Sequence, residues 1–507
     1  MPFITASKLY DFLQCPHRVW RDEYGPKEEK SEEVNAFVQM LWDQGVSYEE
    51  KVVSELGDFL DLSAEGLSME ERFERTIKAM KEGVPLIYQG VLIQDNLRGI
   101  PDLLRRVSDG QYIPIDIKSG MGRENVDMEN GKSGKLKKNY AVQLALYCDA
   151  LNRLGFENNK IGIIHDIKGN EVVYDLNLPV GVVDKTTFWE FYEKTKEEVL
   201  ALLQNQIRNK PAMAGICKLC PWYESCKKWV EDRDDLTGLF YLGRKNRDVI
   251  AEDTGIKRIG DLASADVEEL MDMKKRDKSF LKGVGRKTFE KIVARANILS
   301  VTKQPVVYSD VRFPNVSYEL FFDIEDDPTK EFIYLHGVYE RSKNGERFLD
   351  FTARDITVDE EKRAWKEFWD YIRSLPKDDF AVYYYSPHER VTYQRMQINY
   401  PDIVSEEEVN EFFNNPNVID LYQIVLKNTD WPLGSYSLKA IAQYLGFKWR
   451  DETPSGALSI QWFNDYLNTR DEKILERILL YNEDDCKATM VLKDAIKKIS
   501  DLSTNDQ

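Results

Sequence analysis

Apolar residues recur at helical spacing at the start of the chain and then switch to alternation. Leu9, Phe12 and Leu13 form one stripe, which predicts a first helix with Thr5 or Ser7 as its cap. Helical character continues to about residue 80, with a polar break at Pro26-Lys27-Glu28-Glu29. Strand-like runs follow at 86–92, 99–104 and 112–118. A helix over about 139–153, a strand at 161–164 and a helix over about 187–204 come next. This interleaving predicts an α/β domain over residues 1–234.

The pattern then changes. Residues 235–301 read as short helices separated by glycine turns, at 255–262 and 281–287. Residues 315–500 open with strands at 318–324 and 332–339, add a strand at 380–385, and end in helices. The whole is an α/β multidomain chain, and 507 residues accommodate its three segments. No apolar run approaches the roughly 18 residues of a membrane span. The first residues, Met1 to Ala6, lack the basic and apolar stretches of a signal peptide. A membrane partner is therefore not expected.

A formal charge of -18 argues against a broadly basic nucleic-acid surface. It does not exclude a local basic groove, and enzymes that hold divalent cations concentrate carboxylates. Six cysteines in 507 residues are too few for a secreted disulfide scaffold, and their placement is uneven.

Three groups of residues carry candidate chemistry. In Ile113-Pro114-Ile115-Asp116-Ile117-Lys118 a period of two puts the isoleucines on one face and Asp116 with Lys118 on the other. The proline predicts an edge position or a strand start. A carboxylate and an ammonium so placed can hold a metal and orient a water, and Asp102 can add a second ligand. In isolation the same pattern is usually a solvated face or an ion pair. Cys217, Cys220 and Cys226 are spaced C-x₂-C-x₅-C, with Cys15 about two hundred residues earlier. Four thiolates can enclose zinc or an iron–sulfur cluster, and spacing does not separate the two. Cys148 and Cys486 read as core residues. In Phe321-Phe322-Asp323-Ile324-Glu325 alternation aims Asp323 and Glu325 the same way, while Tyr481-Asn482-Glu483-Asp484-Asp485 reads as an acidic start to the final helix.

Taken in order, Glu49 after Gly45, Gly99-Ile100-Pro101-Asp102, Asp116-Ile117-Lys118 and Gln143-Leu144-Ala145-Leu146-Tyr147 resemble the motifs of RecB-type nucleases, of the restriction-endonuclease-like PD-(D/E)xK superfamily. The resemblance implies that Glu49, Asp102 and Asp116 bind Mg²⁺ or Mn²⁺. It makes Lys118 catalytic and has Gln143 and Tyr147 support the site. One early and three late cysteines resemble the iron–sulfur subgroup, related to the Cas4 and AddB families. That implies a [4Fe–4S] cluster on Cys15, Cys217, Cys220 and Cys226 with a structural role.

Leu281-Lys282-Gly283-Val284-Gly285-Arg286-Lys287 resembles a helix–hairpin–helix turn, whose backbone N–H groups would hold a DNA phosphate. Lysines in Gly131-Lys132-Ser133-Gly134-Lys135-Leu136-Lys137-Lys138 are a second possible phosphate contact. The last segment resembles the DEDD exonucleases of the ribonuclease H-like fold. Asp323, Glu325 and Asp485 then bind metal and Tyr481 orients the attacking water. Glu389 stands where an aspartate is usual, and Asp420 is another candidate ligand. The implied partners are single-stranded DNA or duplex ends and a separate helicase. The implied setting is DNA-end processing in the cytoplasm, at the nucleoid. RNA processing and a DNA-binding adaptor with a degraded exonuclease domain are the alternatives.

Overall fold

The computed structural model describes residues 2–63, 66–108, 110–124, 134–156, 158–181 and 184–505. The chain divides into two compact units. One comprises Met1–Pro211 and Gly215–Lys227, the other Ala212–Ala214 and Lys228–Gln507.

In the first unit Thr5 caps the helix Ala6–Gln14, its hydroxyl accepting from the Lys8 N–H at 3.2 Å. Pro16 starts the next helix, Pro16–Tyr24, where its missing N–H costs nothing. The main sheet runs in the order Glu171–Asp175, Ile161–His165, Gln111–Ile117, Leu103–Ser108, Leu86–Tyr88, Leu60–Asp61. The helix Lys138–Arg153 buries Ala141, Val142 and every residue from Leu144 to Leu151. So continuous an apolar surface suits a helix packed on several sides, and it contacts the sheet and the helices Ala6–Gln14 and Phe188–Leu203.

Two expected strands are broken. The run 86–92 splits into Leu86–Tyr88 and Leu92–Gln94, because Gln89 adopts φ 54° and Gly90 lies against the Leu104 side chain. The run 99–104 splits at Pro101, between Leu97–Gly99 in a small second sheet and Leu103–Ser108 in the main one. Both breaks fall beside Asp102. Pro114 lies in an interior strand rather than an edge one. Pairing with Ile161–His165 begins only at Ile115, however, so the proline sits where the strand has one neighbour.

The second unit holds a five-stranded sheet in the order Gly345–Thr352, Phe332–Ser342, Tyr318–Asp327, Phe380–Tyr384, Val418–Asp420. Leu320, Phe322 and Ile324 pack with Trp365, Phe368 and Trp369 of the helix Val358–Ser374. Phe321, Asp323 and Glu325 face the other way, toward the C-terminal helix. The strand Gly345–Thr352 escapes sequence reading because it is an edge strand with mostly exposed positions.

One helix spans Glu472–Asn505, so Tyr481 to Asp485 lie inside it rather than at its start. Leu475, Ile478, Asn482, Cys486, Leu492 and Ile496 form a continuous buried stripe, which carries the helix through the acidic run. The acids off that stripe are neutralised: Arg450 binds Glu483 and Asp484, and Lys487 binds Glu483.

The short helices between Gly243 and Asn297 belong to this second unit. Buried Arg295 meets buried Asp430 at 2.7 Å, and Asp430 also accepts from Tyr308 and Tyr436. A buried ion pair is tolerated when its remaining lone pairs are satisfied in this way. At the 281–287 turn, Gly283 takes φ 87°, open to glycine alone at little cost. Arg286, expected to offer positive charge, is paired with Glu268 and Glu290. Among the described residues no helix is long and apolar enough to cross a membrane.

Candidate active sites

In the first unit the strand Gln111–Ile117 delivers Asp116 and, just past its end, Lys118. Asp116 is 2% exposed, and the Lys118 ammonium lies 2.9 Å from its Oδ2. Ile115 and Ile117 pack on the opposite face with Val52, Leu103 and Ile163. Asp102 accepts from the Ile117 N–H at 2.7 Å, which fixes it against the same strand. Tyr147, from the buried helix, lies near the Asp116 carboxylate, with its hydroxyl 3.5 Å from the Ile100 carbonyl. Gly99 is required by this contact, since a Cβ there would come within 2.5 Å of the Tyr147 ring. Gln143 lies one turn earlier, with a buried Oε1 that accepts no hydrogen bond. Glu49, on the helix Ala36–Ser54, accepts from the Tyr88 hydroxyl at 3.0 Å and the Gln89 amide at 2.8 Å. Its neighbour Glu50 is exposed.

Gln89 is a residue that sequence reading missed. Its amide reaches both Glu49 and, at 3.2 Å, Asp102, and its left-handed backbone is what turns it inward. Strain of this kind collects where a side chain must be aimed. Nothing in the run 86–92 marks it, because an apolar strand pattern does not reveal a φ reversal.

Burial pushes the Asp102 carboxyl up to about 8; the Asp116 charge adds to this and Lys118 opposes it. Burial acts to lower Lys118, but Asp116 and Asp102 together hold it above its ordinary value. The pocket thus combines hard carboxylate oxygens, a retained proton and a fixed ammonium. Such a set fits a divalent cation, which would take the place of the proton. Of the lysine-rich segment, Gly131 to Ser133 lie outside the described residues. Lys137 and Lys138 lie over the Tyr140 and Phe191 rings.

In the second unit Asp323, Glu325 and Asp485 bring one carboxylate oxygen each to within 4.8 Å of one another. Burial pushes Asp323 well above the carboxylate range; the charges of Asp485, Glu325 and Glu389 add to this, and Lys439 opposes it. Glu325 is pushed up to about 8 by burial and by Asp485. Three crowded, buried carboxylates whose charged forms are disfavoured are a fitting site for divalent cations.

Glu389, on the helix Pro387–Asn399, is not one of these three but acts on Asp323 by its charge. It is 4% exposed and its Oε2 is unpartnered. Burial raises it to about 8. Asp420 lies apart from the tight set: its Oδ1 caps the helix Leu421–Asn428, accepting from the N–H groups of Tyr422 and Gln423.

Tyr481 accepts a hydrogen bond from the Lys439 ammonium at 2.8 Å, and the Asp485 carboxylate lies near its hydroxyl. Asp485 also accepts from the Trp449 indole at 2.7 Å. Asn482 donates to Asp323 at 2.8 Å and to Glu325 at 3.4 Å. Sequence reading missed Lys439, Trp449 and Asn482. A helical count in steps of three and four from Ile478 reaches Asn482 and Asp485, so Asn482 had a signal. Lys439 and Trp449 had none, since both are brought in by tertiary packing.

The cysteines lie on or between three helices and a turn. Cys15 separates Ala6–Gln14 from Pro16–Tyr24, Cys217 lies in the turn Gly215–Leu219, and Cys226 lies in Tyr223–Asp232. Burial raises the Cys220 thiol, and Cys15 and Cys217 add to it. Burial pushes Cys226 up to about 12, opposed by Arg21 and reinforced by Cys220, Cys15 and Cys217. Arg21 joins the segments by binding Glu29 and Ser225 and stacking 4.3 Å over Trp222. Among the described residues the tight ligand group remains the three carboxylates. Cys148 and Cys486 are buried, as expected of core residues.

Residues 6–227 match the model of the PD-(D/E)XK nuclease superfamily, and residues 320–497 match that of the RNase_H superfamily. The chain joins a PD-(D/E)XK nuclease domain to an RNase H-like domain. No curated protein matches it. The Asp102, Asp116 and Lys118 pocket lies in the PD-(D/E)XK domain, and the Asp323, Glu325 and Asp485 cluster lies in the RNase H-like domain. The two nuclease-superfamily domains and the Asp323, Glu325 and Asp485 cluster are consistent with a metal-dependent phosphodiesterase. Residues 235–301 fall outside both matches, and no distinct helix–hairpin–helix module is identifiable there.

Proposed function

We propose that this chain is a Mg²⁺- or Mn²⁺-dependent nuclease with two working active sites, which trims single-stranded DNA or duplex ends during repair or recombination. The observation that carries the reading is the meeting of Asp323, Glu325 and Asp485 within 4.8 Å, in a domain separate from the Asp116 and Lys118 pair. Bound divalent cations supply charge to the attacking and leaving oxygens of the phosphodiester. The protein's own side chains do the rest. In the first site Asp102, Asp116 and Glu49 hold the cation, Lys118 faces the attacking water and Gln143 and Tyr147 brace the pocket. In the second, Glu389 completes the carboxylate set and Tyr481 orients the water. The choice of DNA rests on the resemblance of the first domain to RecB-type nucleases. A separate helicase would supply single strands.

The test uses DNA and RNA, single-stranded and duplex, labelled at either end and incubated with Mn²⁺. Lys118→Ala and Asp323→Asn should each remove one class of product, and the doubly substituted protein should be inert. Cleavage by the double variant at the wild-type rate overturns the reading. RNA cut in preference to DNA replaces it with RNA processing.

Within this reading Cys15, Cys217, Cys220 and Cys226 hold a [4Fe–4S] cluster that braces the first domain. What supports it is that Cys220 and Cys226 both sense Cys15 and Cys217, and that soft thiolates suit such a cluster. Binding such a centre would require these thiols to ionise. Anaerobically purified protein is expected to be brown and to contain about four irons per chain with acid-labile sulfide. Stoichiometric zinc without iron replaces the cluster with a structural zinc site.

A further inference from the structure

Lys439 is half-buried in the first turn of the short helix Leu438–Tyr444, whose N-cap is Ser437. A cation there faces the positive end of the peptide dipoles, which is the disfavoured position. It is held by two bonds, to the Pro454 carbonyl at 2.9 Å and to the Tyr481 hydroxyl at 2.8 Å. An ammonium has donors and no acceptor. The Tyr481 oxygen must therefore accept from it, and the phenolic proton must point elsewhere. The acceptor left near it is the Asp485 carboxylate, whose Oδ1 is already fixed by Trp449. The Tyr481 ring is buried against Trp462, leaving rotation of the hydroxyl as its remaining freedom.

We propose that Lys439 is a positioning residue, which fixes the direction of the Tyr481 hydroxyl proton toward the carboxylate pocket where the attacking water is bound. This rests on the reading of that pocket as an exonuclease site. Lys439 also bears on the carboxylates by charge, since it opposes the upward shift of Asp323, Glu325 and Asp485. The two roles predict different couplings. Acting through Tyr481, Lys439 contributes nothing once the hydroxyl is gone. Acting by charge on the metal ligands, it contributes whether or not the hydroxyl is present.

The experiment is a double-mutant cycle in full-length protein carrying Lys118→Ala, which silences the first site. Lys439→Met, Tyr481→Phe and their combination are assayed for Mn²⁺-dependent release of nucleotides from a uniformly labelled single-stranded oligonucleotide. Lys439→Met is expected to lower kcat about 10²-fold, as a small misplacement at a reacting group does, with KM and the half-saturating Mn²⁺ concentration unchanged. The combination should be no slower than Tyr481→Phe alone. Losses that multiply, or a changed Mn²⁺ requirement, overturn the positioning role in favour of the charge role. Lys439→Gln, which keeps a polar tip without the charge, is put through the same cycle, and thermal melting confirms that each variant is folded. Asp323→Asn in the same background is the separate control. Undiminished release by that variant overturns the exonuclease reading itself, and the role of Lys439 with it.

Discussion

Lys118→Ala, made in a chain whose second site is silenced by Asp323→Asn, should lose metal-dependent cleavage by roughly 10³-fold, the effect of removing a preorganised donor from a reacting centre. The physical reason lies in what surrounds the ammonium. Asp116 and Asp102 hold it in its charged form, 2.9 Å from Asp116 Oδ2. It therefore acts in this state as a fixed donor and positive charge rather than as a base. Alanine removes the charge but leaves both carboxylates, so cation binding should persist. The measurement is a steady-state rate at saturating Mn²⁺ together with calorimetric Mn²⁺ binding. Loss of cleavage with binding retained is the expected pair. An unchanged rate would remove Lys118 from the chemistry and leave the ion pair as a structural contact.

Gly337→Ala should be the most damaging single methyl in the second unit. Gly337 pairs directly opposite Asp323 in the sheet. A Cβ at this position would lie 1.6 Å from Asn482 Oδ1 and 2.8 Å from its Cγ. Asn482 cannot step aside cheaply. It is fully buried, and its amide holds Asp323 and Glu325. Overpacking and the loss of a hydrogen bond to a charged group together cost about 2–4 kcal/mol. Chemical denaturation should show this loss, and the RNase H-like activity should fall with it. Adding Asn482→Ala to Gly337→Ala removes the clash, so stability should recover while activity does not. Full activity in Gly337→Ala alone would show that the asparagine does not hold the carboxylates.

These two sites were legible in the sequence to different depths. Asp116 and Lys118 could be read because a strand has a period of two: isoleucines at 113, 115 and 117 leave only one face for the charges. The same rule paired Asp323 with Glu325 across Ile324. The helix carrying Gln143 and Tyr147 was equally plain, because its apolar positions continue around the cylinder. The register of the final helix was misread. An acidic run resembles a helix start, and only the buried stripe from Leu475 to Ile496 shows the helix passing through it.

What the sequence determined by itself is the set of local elements and the face each carboxylate takes, since both follow from backbone periodicity and nearest-neighbour chemistry. It also supplied the ordered motifs that resemble two nuclease superfamilies. What the tertiary structure decided is which distant groups share a pocket. Gln89 reaches Glu49 and Asp102 through a reversed φ. Lys439 and Trp449 arrive at Tyr481 and Asp485 from segments some forty residues away. Asp420 is occupied as a helix cap, while Glu389, the less usual residue type, is the carboxylate left buried and unpartnered, with its charge acting on Asp323. Such assignments depend on burial and on distances across the fold, and neither is encoded in the spacing of residues along the chain. The raised carboxyl groups have the same origin: they are buried, and crowded against one another, only when the sheet and the long helix are packed together, and that makes the cluster a place for a metal.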